Sequence, residues 1–117
     1  MRITTWNINS VRLRIGLALE LINQLKPDVL CLQETKCPDE LFPFEAFRDI
    51  GYKYIAVNGM KAYNGVALIS RIPFVSESAL DWTGRSDCRH ISATFSSDIE
   101  IHNFYVPAGG DEPDIER

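Results

Sequence analysis

The stretch Val29-Leu30-Cys31-Leu32-Gln33-Glu34-Thr35-Lys36 drives an apolar run straight into a polar tetrad. Apolar at four consecutive positions and preceded by Pro27-Asp28, it reads as a buried strand of an α/β fold. Its C-terminal end delivers the Glu34 carboxylate, and open α/β sheets keep their chemistry at that end of the strand. Working back toward the N-terminus, residues 2–8 alternate well enough for an earlier strand, with Ile3, Thr5 and Trp6 as favoured strand residues. Between the two, Ser10 offers an N-cap, and Val11, Ile15, Ala18, Ile22 and Leu25 recur at spacings of four and three, an amphipathic helix stripe that Pro27 closes. Strand, helix and strand with short connections read as a right-handed crossover between parallel neighbours. Such a unit brings Asn7 and Glu34 to one edge of one sheet.

Downstream of Lys36 the pattern changes. Pro38 and Pro43 bracket an acidic turn, and Phe44, Phe47 and Ile50 form a short helical face that stops at Gly51. Short strands are then expected at residues 52–57, 66–70, 91–95 and 99–106, with Asn58-Gly59, Asn64-Gly65 and Ser97-Asp98 as turns. Residues 107–114 read as a loop. The later strands run out without the helices that would cover them. There is no internal repeat and no low-complexity tract to mark a domain boundary.

With 117 residues, 45% of them hydrophobic and 24% charged, the chain suits one globular domain. Its first residues lack the apolar core of a secretory signal, and no apolar stretch approaches the roughly 20 residues of a membrane span. A soluble cytoplasmic protein is expected. Cys31, Cys37 and Cys88 are odd in number and form no Cys-x-x-Cys pair, so neither a disulfide framework nor a zinc site is indicated. The net charge of −4 argues against a nucleic-acid partner, but its distribution matters more. Residues 1–36 hold five Lys/Arg against three Asp/Glu, whereas residues 101–117 hold one against four. The segment carrying Asn7 and Glu34 is therefore mildly basic and compatible with a polyanionic substrate.

A lone carboxylate beside an amide suits a hard cation, because Mg²⁺ prefers oxygen ligands and keeps several waters. From the residues alone Glu34 reads equally as a metal ligand or as a loop carboxylate satisfied by backbone N–H groups. Asn7 at a strand end also has a simpler use, terminating the sheet by bonding backbone. Tyr105 closes the last expected strand, where a phenol can hydrogen-bond phosphate or, beside a metal, act as a base, or simply pack its ring at the sheet margin. Arg12, Arg14, Lys36, Arg71 and Arg89 are candidates for phosphate contacts, set against the plainer reading of scattered surface cations. His90 and His102 have no partner at zinc-ligand spacing, and no phosphate-cradling glycine motif occurs.

Four segments taken together, Trp6-Asn7-Ile8-Asn9-Ser10-Val11-Arg12, Pro27 through Lys36, Tyr63-Asn64-Gly65-Val66-Ala67 and Asn103-Phe104-Tyr105-Val106-Pro107, resemble the exonuclease III family of abasic-site endonucleases. The resemblance runs in order along essentially the whole chain. It implies the N-terminal half of a four-layer α/β sandwich with mixed β-sheets, within the endonuclease/exonuclease/phosphatase superfamily. It further implies Mg²⁺-dependent hydrolysis, with Mn²⁺ as the alternative ion, of double-stranded DNA 5′ to abasic sites and from 3′ ends, by an enzyme that is monomeric when complete and has no membrane partner. Glu34 is then a metal ligand, Asn7 supports the metal, and Tyr105 is the active-site tyrosine. Ala108 departs from the polar Asn or Gln common in the family after the proline. The family's Gly-Asp-x-Asn motif, later catalytic Asp and terminal Asp-His pair do not occur within these residues. The expectation is therefore a domain over residues 1–117 truncated at its C-terminus, inactive by itself, with one apolar sheet face left uncovered. Two other readings stand beside it: a phosphatase or phosphodiesterase acting on lipid or inositol phosphates, and a non-catalytic DNA-binding or interaction fragment.

Overall fold

The computed structural model describes residues 1–81 and 87–106. Strand β1 (Ile3–Asn7) runs parallel to β2 (Val29–Gln33), in a register that pairs Ile3 with Val29 and Asn7 with Gln33. Helix α1 (Ile15–Leu25) connects them. It starts a turn later than the apolar stripe suggests, with Arg14 rather than Ser10 at the N-cap. Ser10 still caps the turn that leads into the helix, its Oγ accepting from the Leu13 N–H at 3.3 Å and its carbonyl from the Arg14 N–H at 3.2 Å. Beyond β1 the Ser10 N–H donates to the Glu34 carbonyl at 2.9 Å and the Val11 N–H to the Thr35 carbonyl at 3.0 Å. Ser10, at φ 86°, is thus tied to the continuation of β2 through its N–H and to the turn before α1 through its Oγ. At the other end Lys26 adopts the left-handed conformation (φ 46°) and its N–H caps the Ile22 carbonyl, after which Pro27 prevents continuation.

Antiparallel partners complete the first sheet. Strand β3 (Tyr54–Asn58) pairs with β4 (Val66–Ser70), and β4 with β2, giving the order β1-β2-β4-β3. The second sheet is antiparallel, with β5 (Phe74–Ser78), β6 (His90–Phe95) and β7 (Glu100–Phe104) side by side. β5 carries almost no apolar alternation and four of its five residues are exposed, which is why the sequence pattern does not announce it. β7 is shorter than expected and leaves Tyr105 just beyond its end.

Three layers result. On one face of the first sheet Leu30, Leu32, Ala67 and Ile69 pack with Ala18 and Ile22 of α1 and with Phe47 of α2 (Phe44–Arg48). On the other, Val29, Cys31, Ala56, Val66 and Leu68 meet Ile91, Ala93, Phe95 and Ile101 of the second sheet. With cover on both sides, every residue of β4 is buried and so are the four apolar residues of β2. No helix among the described residues lies on the outer face of the second sheet.

That outer face corrects the expectation of an uncovered apolar surface. Strand alternation assigns it His90, Ser92, Thr94, Glu100, His102 and Phe104, because Ile91, Ala93, Phe95 and Ile101 all turn inward. Of the exposed large apolar residues, Phe104 belongs to this face and Val75 to β5, while Ile3 on β1, Leu13 before α1 and Leu17 and Leu25 on it lie elsewhere. Both β1 and β7 are edge strands among the described residues. No described helix is long and apolar enough to cross a membrane.

One buried polar side chain ties the sheets together. Asn103 on β7, 3% exposed, donates through Nδ2 to the Leu32 carbonyl at 2.9 Å and the Ala67 carbonyl at 2.8 Å, and its Oδ1 accepts from Gln33 Nε2 at 2.7 Å. Asn103→Ala is expected to cost about 2 kcal/mol or more of unfolding free energy, because buried partners lose their bonds. Asn103→Asp, similar in shape but presenting oxygen to the two carbonyls, is expected to cost more than Ala. Urea denaturation followed by circular dichroism measures both, and an Asp variant as stable as the parent contradicts the clamp.

Candidate active site at the strand ends

The chain leaves β2 through Gln33 into Glu34, Thr35 and Lys36, and this segment is held from both sides. On one side lie the Ser10 and Val11 bonds already described. On the other, the Thr35 N–H donates to the Gly65 carbonyl at 3.1 Å and the Lys36 N–H to the Asn64 carbonyl at 2.9 Å. The line continues to the second sheet, where the Gly65 N–H donates to the Cys88 carbonyl at 3.1 Å and Asn64 Nδ2 to the Asp87 carbonyl at 2.7 Å. It ends where the Tyr105 N–H donates to the Arg89 carbonyl at 2.8 Å. Asn7, Glu34 and Tyr105 therefore share one margin of the molecule. Asn7 is exposed and sits opposite Gln33, next to Glu34, while Glu34 and Tyr105 are half-buried.

Backbone strain collects along this margin. Asn9, Ser10, Glu34, Lys36, Asn64 and Cys88 all have positive φ, an arrangement that non-glycine residues keep only where surrounding bonds over-determine it. Gly65 (φ 95°) shows why glycine stands there, since a Cβ at that position lies 2.2 Å from the Oγ1 of buried Thr35.

The cations divide. Lys36 Nζ donates to Asn9 Oδ1 at 2.6 Å, and Arg14 donates to the Asn9 carbonyl. Arg12 is exposed just after Ser10, and Arg89 pairs with Asp87 at 2.8 Å, so all four belong to the margin. Arg71 does not. It follows β4 at the opposite end of the sheet and pairs with Asp28, whose carboxyl is held below its ordinary pKa by the Arg2 N–H and then by Arg71. Arg71 is removed from the set of phosphate contacts.

Asn7 and Glu34 offer oxygen donors from adjacent strand ends. Among the described residues no group of three or more His, Cys, Asp or Glu gathers around a point, so a closed nitrogen or sulfur cage is not built here. A pair of oxygen donors open to solvent fits an ion such as Mg²⁺, which takes one or two protein ligands and fills its shell with water and substrate phosphate. The three thiols are held toward their neutral form. Burial pushes Cys31 up to about 11, and Cys37 and Cys88 are also raised, chiefly by burial. Pro107, Ala108, Gly109 and Gly110 lie outside the described residues.

The profile of the endonuclease/exonuclease/phosphatase family matches residues 4–115. The chain belongs to that family. Among curated members it is 38% identical over 71 residues to exodeoxyribonuclease III of Haemophilus influenzae, covering 61% of this chain and 26% of the relative. It is 31% identical over 115 residues to recombination repair protein 1 of Drosophila melanogaster, covering 94% of this chain and 16% of that protein. Among solved structures, a Neisseria 3′ phosphatase bound to a product DNA hairpin superposes with a TM-score of 0.84 at 35% identity, covering 97% of this chain and 45% of its counterpart. An AP endonuclease from Archaeoglobus fulgidus gives 0.81 at 36% identity, covering 92% and 41%. This family member thus spans less than half the length of these relatives.

Sequence reasoning singled out Asn7, Glu34 and Tyr105 but assigned no site role to Asn9, Gln33, Asn64, Gly65 or Asn103, whose bonds tie together the segments that carry those three. Asn64-Gly65 carried a signal, since both residues tolerate positive φ, and it reads as a turn until Thr35 is known to lie against it. Gly65→Ala should lower the melting temperature, with strain of about 1–3 kcal/mol from the backbone conformation alone before the Thr35 clash is added. Gly51→Ala, also at positive φ but with open space around it, is the control and should lose less in the same thermal melt.

Proposed function

We propose that this chain is the N-terminal part of a Mg²⁺-dependent DNA repair nuclease of the exodeoxyribonuclease III type, hydrolysing phosphodiesters 5′ to abasic sites and from 3′ ends of duplex DNA. The observation that carries the reading is the placement of Asn7 and Glu34 at adjacent C-terminal ends of the parallel pair β1 and β2, with Tyr105 reaching the same margin from the second sheet. The named relatives, a 3′ phosphatase with product DNA and an AP endonuclease among them, support the substrate class. The whole protein acts as a cytoplasmic monomer.

In this reading the Glu34 carboxylate and the Asn7 amide oxygen hold the ion, with Mn²⁺ able to replace Mg²⁺. When bound, the ion polarises the phosphodiester and stabilises the leaving oxygen. Lys36, held by Asn9, joins Arg12 and Arg14 in contacting backbone phosphates and positioning the duplex without reading its sequence. Tyr105 directs its phenol to a phosphate oxygen. The general base and further metal and phosphate contacts are assigned to the part of the related structures that this chain does not cover, and the 117-residue chain alone is expected to be inactive.

Titrating Mn²⁺ into the ¹⁵N-labelled chain should broaden the amides of Asn7 to Asn9 and Glu34 to Lys36 first, and Glu34→Gln should remove that broadening. Broadening centred instead on Asp39 and Glu40 would falsify the assignment of the ion. In parallel, an abasic duplex with Mg²⁺ should remain uncut by the isolated chain. Incision that Glu34→Ala abolishes would show the site to be self-sufficient.

A further inference from the structure

On the outer face of the second sheet, apart from Asn7 and Glu34, four groups are joined in a line. The Leu80 N–H donates to His90 Nδ1 at 2.9 Å, His90 Nε2 lies 2.9 Å from His102 Nδ1, and His102 Nε2 lies 2.6 Å from Glu100 Oε1. The imidazoles stack with centroids 5.1 Å apart, and the Phe104 ring packs 4.9 Å from that of His90. His90 is 1% exposed.

The bonds fix every proton in the line. A backbone N–H cannot accept, so His90 Nδ1 presents its lone pair to Leu80 and carries its proton on Nε2. His102 Nδ1 must then accept from His90, which leaves the His102 proton on Nε2, facing the Glu100 carboxylate. Two neutral imidazoles supply the two protons the line needs. A third has no place. Added at His102 Nδ1, it faces the His90 Nε2–H at 2.9 Å; if the His90 proton moves to Nδ1 to make room, it faces the Leu80 N–H. One link breaks in either case.

The line meets the margin described above at His90. His90 opens β6, and its carbonyl accepts from Asn58 Nδ2 at 2.9 Å. The three residues before it, Asp87, Cys88 and Arg89, supply the carbonyls that hold Asn64, Gly65 and Tyr105. Phe104, against the imidazoles, directly precedes Tyr105. We propose that the relay from Leu80 through His90 and His102 to Glu100 is a proton-sensitive positioning device, which fixes the start of β6 and with it Tyr105 while both imidazoles are neutral and loosens them when a proton is added. Its regulatory meaning rests on Tyr105 being a site residue; the relay itself does not.

Among the described residues, the charged and titratable groups on the elements around the imidazoles are Glu100 on β7, Glu77 on β5, Asp81 beyond it, and Asp87, Cys88 and Arg89 before β6. Burial, and then the neighbouring His102, lower the His90 pKa below its ordinary 6.5. The sign follows from linkage. A base whose folded pKa is depressed contributes its stabilisation fully above the unfolded value, here 6.5, and loses it as pH falls from there through the folded value.

Long-range ¹H–¹⁵N correlation on the 117-residue chain at neutral to slightly alkaline pH should show both histidines as Nε2–H tautomers. On acidification below the ordinary histidine pKa, amide-exchange protection of Leu80 and Tyr105, corrected for intrinsic rates, should fall about tenfold, the equivalent of one hydrogen bond, while Leu30 and Cys31 of β2 keep theirs. Glu100→Gln retains an acceptor for His102 and removes the charge, so the tautomers should persist and the midpoint of the loss move to lower pH. His102→Phe keeps the stack without the relay, and Tyr105 should be weakly protected at every pH. An Nδ1–H tautomer at His90, protection at Tyr105 that does not change with pH, or an unmoved midpoint in Glu100→Gln overturns the proposal. No DNA or metal enters these measurements, so a failure of the nuclease reading shows separately, in the Mn²⁺ and incision experiments.

Discussion

The pairing of β1 with β2, extended past both strands by the Ser10 and Val11 bonds to Glu34 and Thr35, is the constraint on which the rest of this structure depends. Parallel neighbours place both C-terminal ends on one margin, and the extension denies the emerging chain a simple exit. Ser10 joins that extension through its N–H and caps the turn before α1 through its Oγ. Glu34, Lys36, Asn9 and Ser10 take left-handed backbone because bonds on both sides hold them there. What is strained locally is supported by a β2 buried on both faces, with one apolar cluster packed under the helices and another between the sheets.

The second sheet does more than cover the first. Its inward residues complete the inter-sheet core, and Asn103 adds a directional link where apolar packing alone would let the layers slide. That link lies two residues before Tyr105 and touches Gln33, the residue before Glu34. Core and site margin are therefore one continuous network. The outward face of the same sheet, with His90, His102 and Glu100, attaches to this network at the start of β6.

The electrostatics of the margin are local. A chain with net charge −4 presents Arg12, Arg14 and Lys36 close to the strand ends, while Arg71 is neutralised by Asp28 at the far end of the sheet. Overall charge describes neither location. For a polyanionic ligand the nearby cations matter most, since exposed charges farther than a Debye length of about 8–10 Å are largely screened.

The sequence by itself determined the parallel unit, the strand that carries Glu34, and the positions of Asn7 and Tyr105 in a recognisable order, because burial on two faces and helical periodicity are written in residue spacing. It also gave the Ser97-Asp98 turn, where Asp98 adopts positive φ between β6 and β7. Only the tertiary structure decided the existence of β5, the largely polar character of the second sheet's outer face, the exclusion of Arg71 and the joining of two histidines twelve residues apart. Each depends on a partner distant in the chain. An exposed edge strand has no period to betray it, and a histidine's proton is assigned by whichever group faces it after folding.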